Sequence, residues 1–367
     1  MNELERIAVH RLRVPLATPY RLAFGVVEYY DTLIAELTDR DGRCGFGEAT
    51  VLTGYTDETI EDSWRAARQL ATQLAPARRA DLPKTIQLLG ENYPFTATAF
   101  ATALEMLENS GLLQVPRETA VPLVGLLSAT QEEAIRTESE RLLAAGYRTI
   151  KIKVGFDVVQ DAHFVKTVQR AVNGRARIRI DANQGYSAEQ GIAFVRELDP
   201  ADIELFEQPC AAGDWDAHLA VARISPVPMM LDESIYGIAD IDRAAQLGAA
   251  AYIKLKLMKL VTLAQLTQAI QHIQSLGMKA VLGNGVACDP GCWMEACAAA
   301  GRIDNAGEMN GFLKTRSHLF TRPLEFRDGC VWLKPGFTPQ LDAANLKQHL
   351  VDSVVCVAGA ASKKTAA

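Results

Sequence analysis

The chain has 367 residues, 49% hydrophobic, 22% charged and 7% aromatic, enough for one large barrel plus a smaller domain and too apolar for a disordered chain. Lys plus Arg number 38 against 44 Asp plus Glu, a formal net charge of −6, and no basic cluster supplies the footprint of a nucleic-acid binder. Lys254, Lys256 and Lys259 interrupt the most apolar stretch and the N-terminus has no apolar leader core, so a soluble, cytoplasmic protein is expected, without membrane or nucleic-acid partners.

Residues 6–14 and 31–38 read as strands, with Asp41-Gly42 as a hairpin turn into a short third strand. Helical patterns cover 56–74 and 96–108, and strands followed by helices predict an α+β capping domain over 1–115. From Pro122 the pattern alternates. β-rich runs stand at 121–125, 149–154, 177–181, 203–207, 229–232, 252–256, 280–284 and 303–308, with helical patterns between them, as at 131–145, 188–198 and 263–276. The runs end at 125, 153, 181, 207, 232, 256, 284 and 308, steps of 24 to 28 residues. Eight even units predict a closed (β/α)8 TIM-type barrel over 116–320 rather than an open doubly wound sheet. Residues 321–356 read as a return segment packing on the first domain, and 357–367 as a disordered tail. The cysteines at 44, 210, 288, 292, 297, 330 and 356 are odd in number and scattered, and read as reduced thiols rather than zinc ligands.

In a barrel the C-terminal ends of the strands face the catalytic mouth. The polar residues there are Lys151, Lys153, Asp181, Glu207, Asp232 and Lys256. Each acid alone is well explained as a helix cap or a surface ion pair. Three on consecutive strand ends are not, because unneutralised carboxylates gathered in a partly dry cavity repel one another. A hard divalent cation, Mg2+, resolves the repulsion and leaves positions for water and substrate. Lys151 and Lys153 lie two apart on a strand and so share its inward face, while Ile150, Ile152 and Val154 take the outward one. Mutual repulsion and burial would lower both lysines towards the range of a general base. Lys256, four strands on, stands across the ring.

These residues resemble the enolase superfamily in its muconate-lactonizing subgroup. The motifs are Lys151-Ile152-Lys153-Val154-Gly155, Asp181-Ala182-Asn183, Glu207-Gln208-Pro209, Asp232-Glu233-Ser234 and Lys256-Leu257-Met258-Lys259, with Gly45-Phe46-Gly47-Glu48 in the first domain. The resemblance implies that Asp181, Glu207 and Asp232 bind Mg2+ and that Lys153 and Lys256 are opposed acid and base. It implies further that Lys151 assists electrostatically and Asn183 supports the metal site. No histidine falls at a strand end, which favours the two-lysine branch. The implied reaction is removal of the proton alpha to a substrate carboxylate, followed by racemisation or epimerisation of an amino-acid-derived carboxylate; a lyase, a cycloisomerase and a non-catalytic binding barrel are the alternatives. Barrels of this kind commonly associate, so a homo-oligomer is expected.

The sequence departs from the subgroup in two places. Leu260-Val261 follow Lys259 where a Gly-Gly pair is usual, and Ala287 stands where an acid is common. Asp289 either replaces that acid or caps a helix. Further substrate contacts are expected from Asn183, Asn284 and Asp289, and from lid loops of the first domain carrying Tyr20, Arg21, Phe24 and Tyr55. Glu48 reads as a structural acid between domains.

Overall fold

The computed structural model describes residues 3–22, 25–52, 57–75, 77–283 and 285–358. Its chain begins with a long hairpin of β1 (Leu4–Leu22) and β2 (Gly25–Asp39), followed by β3 (Cys44–Thr50). The turn into β3 holds Gly42 at φ +78°, a conformation glycine takes without a Cβ penalty. The last strand, β14 (Leu350–Val357), returns to pair with β1, giving the antiparallel order β14-β1-β2-β3.

One face of this sheet, through Ile7, Val9, Leu33, Ala35 and Leu37, packs under α1 (Ile60–Leu74), α2 (Leu82–Gly90) and α3 (Pro94–Leu107). Helix α3 lies so close that a Cβ on Gly45 or Gly47 would fall 2.1 Å from the carbonyl oxygens of Ala103 or Ala99. Alternate residues turn to the sheet's other face, where Leu12, Val14 and Leu16 join Tyr30 and Ile34 against Val286, Cys288 and Leu319 of the barrel. Helix α1 starts at Ile60 because Thr59 caps it, its side chain accepting from Asp62 N.

Seven parallel strands stand side by side in chain order: β5 (Gly125–Leu126), β6 (Thr149–Lys153), β7 (Arg177–Asp181), β8 (Ile203–Glu207), β9 (Met229–Leu231), β10 (Tyr252–Leu255) and β11 (Lys279–Leu282). The eighth stave is Gly307–Glu308. Gly307 exchanges backbone bonds with Pro122 and Val124 at 2.9 Å, and Glu308 N donates to Leu282 O at 2.8 Å, so this short stretch joins both edges and closes the ring. The outer layer comprises α4 (Glu132–Ala144), α5 (Val158–Val172), α6 (Ala188–Arg196), α7 (Trp215–Ala222), α8 (Ile238–Leu247), α9 (Leu257–Leu260), α10 (Leu263–Ser275) and α11 (Asp289–Ala299).

The run expected at 121–125 is divided. β4 (Thr119–Pro122) pairs instead with β13 (Cys330–Leu333), which pairs with β12 (Glu325–Arg327), and β5 alone joins the barrel. After a short α12 (Ala343–Gln348) the return segment enters β14. From residue 359 the expected tail lies outside the described residues. Among the described residues no helix is long and apolar enough to cross a membrane.

Candidate active site

The barrel interior is layered. Leu205, Met230, Tyr252 and Val281 form a buried apolar cluster inside the barrel. Two residues further along three of these strands come Glu207, Asp232 and Lys254, so the period of a strand turns an apolar layer into a charged one. Ile150, Ile152 and Val154 face outward and are buried under the helices.

Parallel register sets Lys153 beside Asp181 and Asp181 beside Glu207, with Asp232 just past β9 and Lys256 just past β10. Lysines span these acids. Lys151 Nζ stands 2.8 Å from Asp181 Oδ2 and 2.7 Å from Glu207 Oε2, Lys153 Nζ 2.6 Å from Asp181 Oδ2, and Lys256 Nζ 2.6 Å from Asp232 Oδ1. Lys153 and Lys256 rise from strands four apart in the ring, and the three acid-bearing strands lie between them.

The loops after the strands are locked by their own motif residues. Asn183, at φ +41°, places its N–H on Asp181 Oδ1 at 2.8 Å, accepts from Lys153 Nζ, and donates to Glu233 Oε1 at 2.9 Å. Gln208 ties the glutamate loop to the next one, its Oε1 accepting from Asp232 N at 2.8 Å and its Nε2 donating to Ser234 Oγ at 2.8 Å. Gly155 is required because a Cβ there would meet Ala182 O at 2.5 Å, with φ at +100°. Left-handed backbone at Asn183 and Gln208, held by these bonds, is the kind of local strain that collects at functional sites.

Two buried residues of this cluster escaped the sequence reading. Glu308, on the eighth stave, accepts from Lys151 Nζ at 2.7 Å and from Lys254 Nζ. Both were signalled: Lys254 repeats the Lys-x-Lys spacing one turn of the pleat below Lys256, and Glu308 ends the last β-rich run. Their presence corrects the expectation that the paired lysines are depressed. Burial does push the Lys151 ammonium down, but Asp181, Glu207 and Glu308 outweigh it and hold the group well above the ordinary lysine value. Lys259 is depressed, lowered to about 8 by burial and by Lys256, with its ammonium 4.1 Å from the Tyr236 ring centre and donating to Ile235 O at 2.8 Å. Among the acids, burial and the neighbouring Asp181 raise Glu207 to about 7, whereas Lys256 and Lys259 overcome burial at Asp232 and keep it below the carboxylate range.

Among the described residues no three His, Cys, Asp or Glu side chains stand as a ready cage for a metal ion, since ammonium groups stand between the acids. The donor chemistry nonetheless fits a hard cation. Asp181, Glu207 and Asp232 offer carboxylate oxygens alone, and Glu207 Oε1 is buried with no hydrogen-bond donor in reach among the described residues, Lys254 Nζ standing 3.9 Å away.

Other expected contacts fall elsewhere. Asp289 is buried, and its oxygens accept from Leu319 N at 2.8 Å and meet His318 Nδ1 at 2.9 Å, so it is spent on pinning the chain just before the return segment. The backbone of Tyr20 and Arg21 runs in the hairpin opposite Val27 and Val26; their side chains, like Phe24, Tyr55 and Asn284, lie outside the described residues. A surface cavity of about 690 Å³ sits beside the hairpin by Arg13 and His349, and one of about 370 Å³ beside α2 and Lys259; neither is lined by Lys153 or Asp181.

Val261, where the glycine pair was missing, takes φ +66° and packs its side chain against Gly90 of α2. Glu48 reaches from β3 to the start of α11, accepting from Cys288 N at 2.7 Å and Gly291 N at 2.8 Å, and so joins the two sheets' domains.

A family model for enolase C-terminal domain-like proteins matches residues 134–344. The chain is 29% identical over 301 residues to an L-Lys-D/L-Arg epimerase of Methylococcus capsulatus, covering 76% of this chain and 81% of that one. It is 23% identical over 299 residues to an N-succinyl-L-Arg/Lys racemase of Bacillus cereus, covering 77% and 80%. In fold it resembles a dipeptide epimerase of Cytophaga hutchinsonii, solved with Mg and D-Ala-L-Val, at TM-score 0.86 and 19% identity, covering 97% of this chain and 100% of that chain.

Proposed function

The chain belongs to the enolase C-terminal domain-like family and is an enolase-superfamily enzyme, and we propose that it removes the proton alpha to the carboxylate of an amino-acid-derived substrate and returns it as a racemase or epimerase. The observation that carries this reading is the pair of amines, Lys153 and Lys256, rising from strands four apart with three carboxylate-bearing strands between them. Two acid/base groups on opposite sides of a flat intermediate are what inversion at carbon requires. The kinship to a named epimerase and a named racemase supports the same choice over elimination.

Asp181, Glu207 and Asp232 are the residues that would hold Mg2+. When bound, the ion supplies positive charge beside the substrate carboxylate, where negative charge gathers as the alpha proton leaves. The chain's own groups do the rest. Lys153 exchanges a proton with the alpha carbon from one face and Lys256 from the other. Lys151, kept charged by Asp181, Glu207 and Glu308, offsets charge building on the carboxylate. Asn183 and Glu233 orient the half-exposed Lys153 through the bonds described above. The hairpin of the capping domain would cover the substrate and limit water.

Incubation with N-acylated amino acids and dipeptides in heavy water, with Mg2+ and with chelator, tests the proposal. Deuterium should enter the alpha position of recovered substrate only with Mg2+, and both stereoisomers should accumulate. Consumption of substrate without return of its isomer would instead indicate a lyase.

A further inference from the structure

We propose that Lys254 is a positioning residue for the reaction: through Glu308 it sets where Lys151 holds its charge, and through Glu207 it limits how tightly the site takes a divalent cation. The inference rests on the reading above, in which Glu207 helps to hold Mg2+ and Lys151 offsets charge on the reacting carboxylate.

Alternate strands of an eight-stave barrel contribute layers of four inward side chains, and branched aliphatic residues usually fill them. Here one such layer is charged throughout. Lys151 of β6, Glu207 of β8, Lys254 of β10 and Glu308 of the eighth stave follow one another two staves apart, cation and anion alternating around the ring. Three corners are closed. Lys151 Nζ lies 2.7 Å from Glu207 Oε2 and 2.7 Å from Glu308 Oε1, and Lys254 Nζ bonds the same Glu308 oxygen. The fourth is open, with Lys254 Nζ standing 3.9 Å from Glu207 Oε1. None of the four side chains is more than 10% exposed, so water does little to screen these charges.

A buried ion pair adds little stability over well-packed apolar groups, so a charged layer where aliphatic residues are usual points to a use. Glu207 and Lys151 have one, as metal ligand and as countercharge. Lys254, wholly buried, acts through the two acids beside it. Its bond to Glu308 divides that carboxylate's pull, so Lys151 stays poised over Asp181 and Glu207, 2.8 and 2.7 Å away, and is not drawn across to the eighth stave. Its charge next to Glu207 Oε1 opposes a further cation on the same carboxylate. Loss of Lys254 therefore acts with opposite signs on the two halves of the site: the metal is held more tightly and turnover falls. Glu308 carries the opposite charge, and its loss loosens the metal. The eighth stave gives Glu308 little room to adjust, since a Cβ on Gly283, at φ +103°, would lie 2.7 Å from its carbonyl carbon.

Calorimetric titration with Mg2+ alone tests this on Lys254→Met, Glu308→Gln and the double variant, alongside exchange of the N-acylated amino acids and dipeptides in heavy water at saturating Mg2+. Lys254→Met should bind Mg2+ on the order of tenfold more tightly and yet exchange on the order of tenfold more slowly, the loss falling on kcat and not on KM. Glu308→Gln should bind Mg2+ on the order of tenfold more weakly. The double variant, neutral again in this layer, should return Mg2+ affinity to within about threefold of the wild type and recover most of the rate. If Lys254→Met does not fold, Glu308→Gln and the double variant still differ by that one charge, and the same gain in Mg2+ affinity is expected between them. A merely structural layer would lower the melting temperature and leave Mg2+ affinity unmoved in every folded variant, or leave the double variant no better than the worse single one. Either result overturns this inference alone. A wild type that binds no Mg2+, or exchanges no probe, contradicts the parent reading and this inference with it.

Discussion

Two sets of buried acids in this chain are handled in opposite ways. In the capping domain Glu48 and Glu58 are surrounded by fixed donors. Glu48 accepts from two backbone N–H groups and Thr50 Oγ1, and Glu58 from Phe95 N, Thr96 N, Thr96 Oγ1 and Ser63 Oγ. At the barrel mouth Asp181, Glu207 and Asp232 face lysine side chains, and Glu207 meets only ammonium groups among the described residues, Lys151 at 2.7 Å and Lys254 at 3.9 Å. A carboxylate ringed by backbone donors cannot change partners without unfolding something. One balanced by side-chain ammonium groups can, because those groups rotate and also carry protons. The first arrangement holds domains together, and the second leaves charge that a cation and an anionic substrate can claim.

The contrast can be broken most forcefully at Lys153. Lys153→Ala should slow alpha-proton exchange by about 10²–10⁴-fold, the usual contribution of a general acid or base, while the melting temperature shifts little. Comparable losses of stability and activity would place Lys153 with the structural acids. Glu48→Ala is the converse case. Leaving the α11 donors without an acceptor should cost roughly 2–4 kcal/mol in urea unfolding, with the exchange rate per folded molecule retained. A rate collapse there would erase the distinction.

Glu295 sharpens the comparison through pH. Burial raises it to about 7, although it accepts from Leu257 N at 3.1 Å. The folded state thus keeps a proton that the unfolded chain, near 4.5, gives up. Stability from this group is present below pH 4.5 and is lost as pH rises towards 7. Glu295→Gln should therefore gain on the wild type between pH 5 and pH 8, by on the order of 1–3 kcal/mol; parallel unfolding profiles would contradict the assignment. The smallest effect is expected at Val261. A β-branched side chain at φ +66° is strained, so Val261→Gly should stay within about 1 kcal/mol of the wild type, relief offsetting lost packing, whereas Val261→Ala keeps the strain and loses the packing, and should cost about 1–2 kcal/mol.

The barrel was legible because its strands repeat at an even interval and because strand-end parity alone brings Lys153, Asp181, Glu207 and Asp232 to one layer. What escaped depended on partners distant in sequence. Pro122 and its neighbours look like a barrel strand until β13 claims them, and β14 finds β1 across almost the whole chain. Asp289 offered equal signals for helix start and for substrate contact, and only the position of His318 and Leu319 resolves them. Lys254 and Glu308 were within reach of the same parity argument. Their pairing with Lys151 reverses the pKa direction that two lysines alone would give.

The sharpest measurement is face-selective exchange by single lysine variants on a resolved pair of substrate enantiomers in heavy water with Mg2+. Lys153→Ala should abolish deuterium uptake from one enantiomer and spare it from the other, and Lys256→Ala should do the reverse. Uptake lost equally from both enantiomers in either folded variant would contradict two bases working from opposite sides.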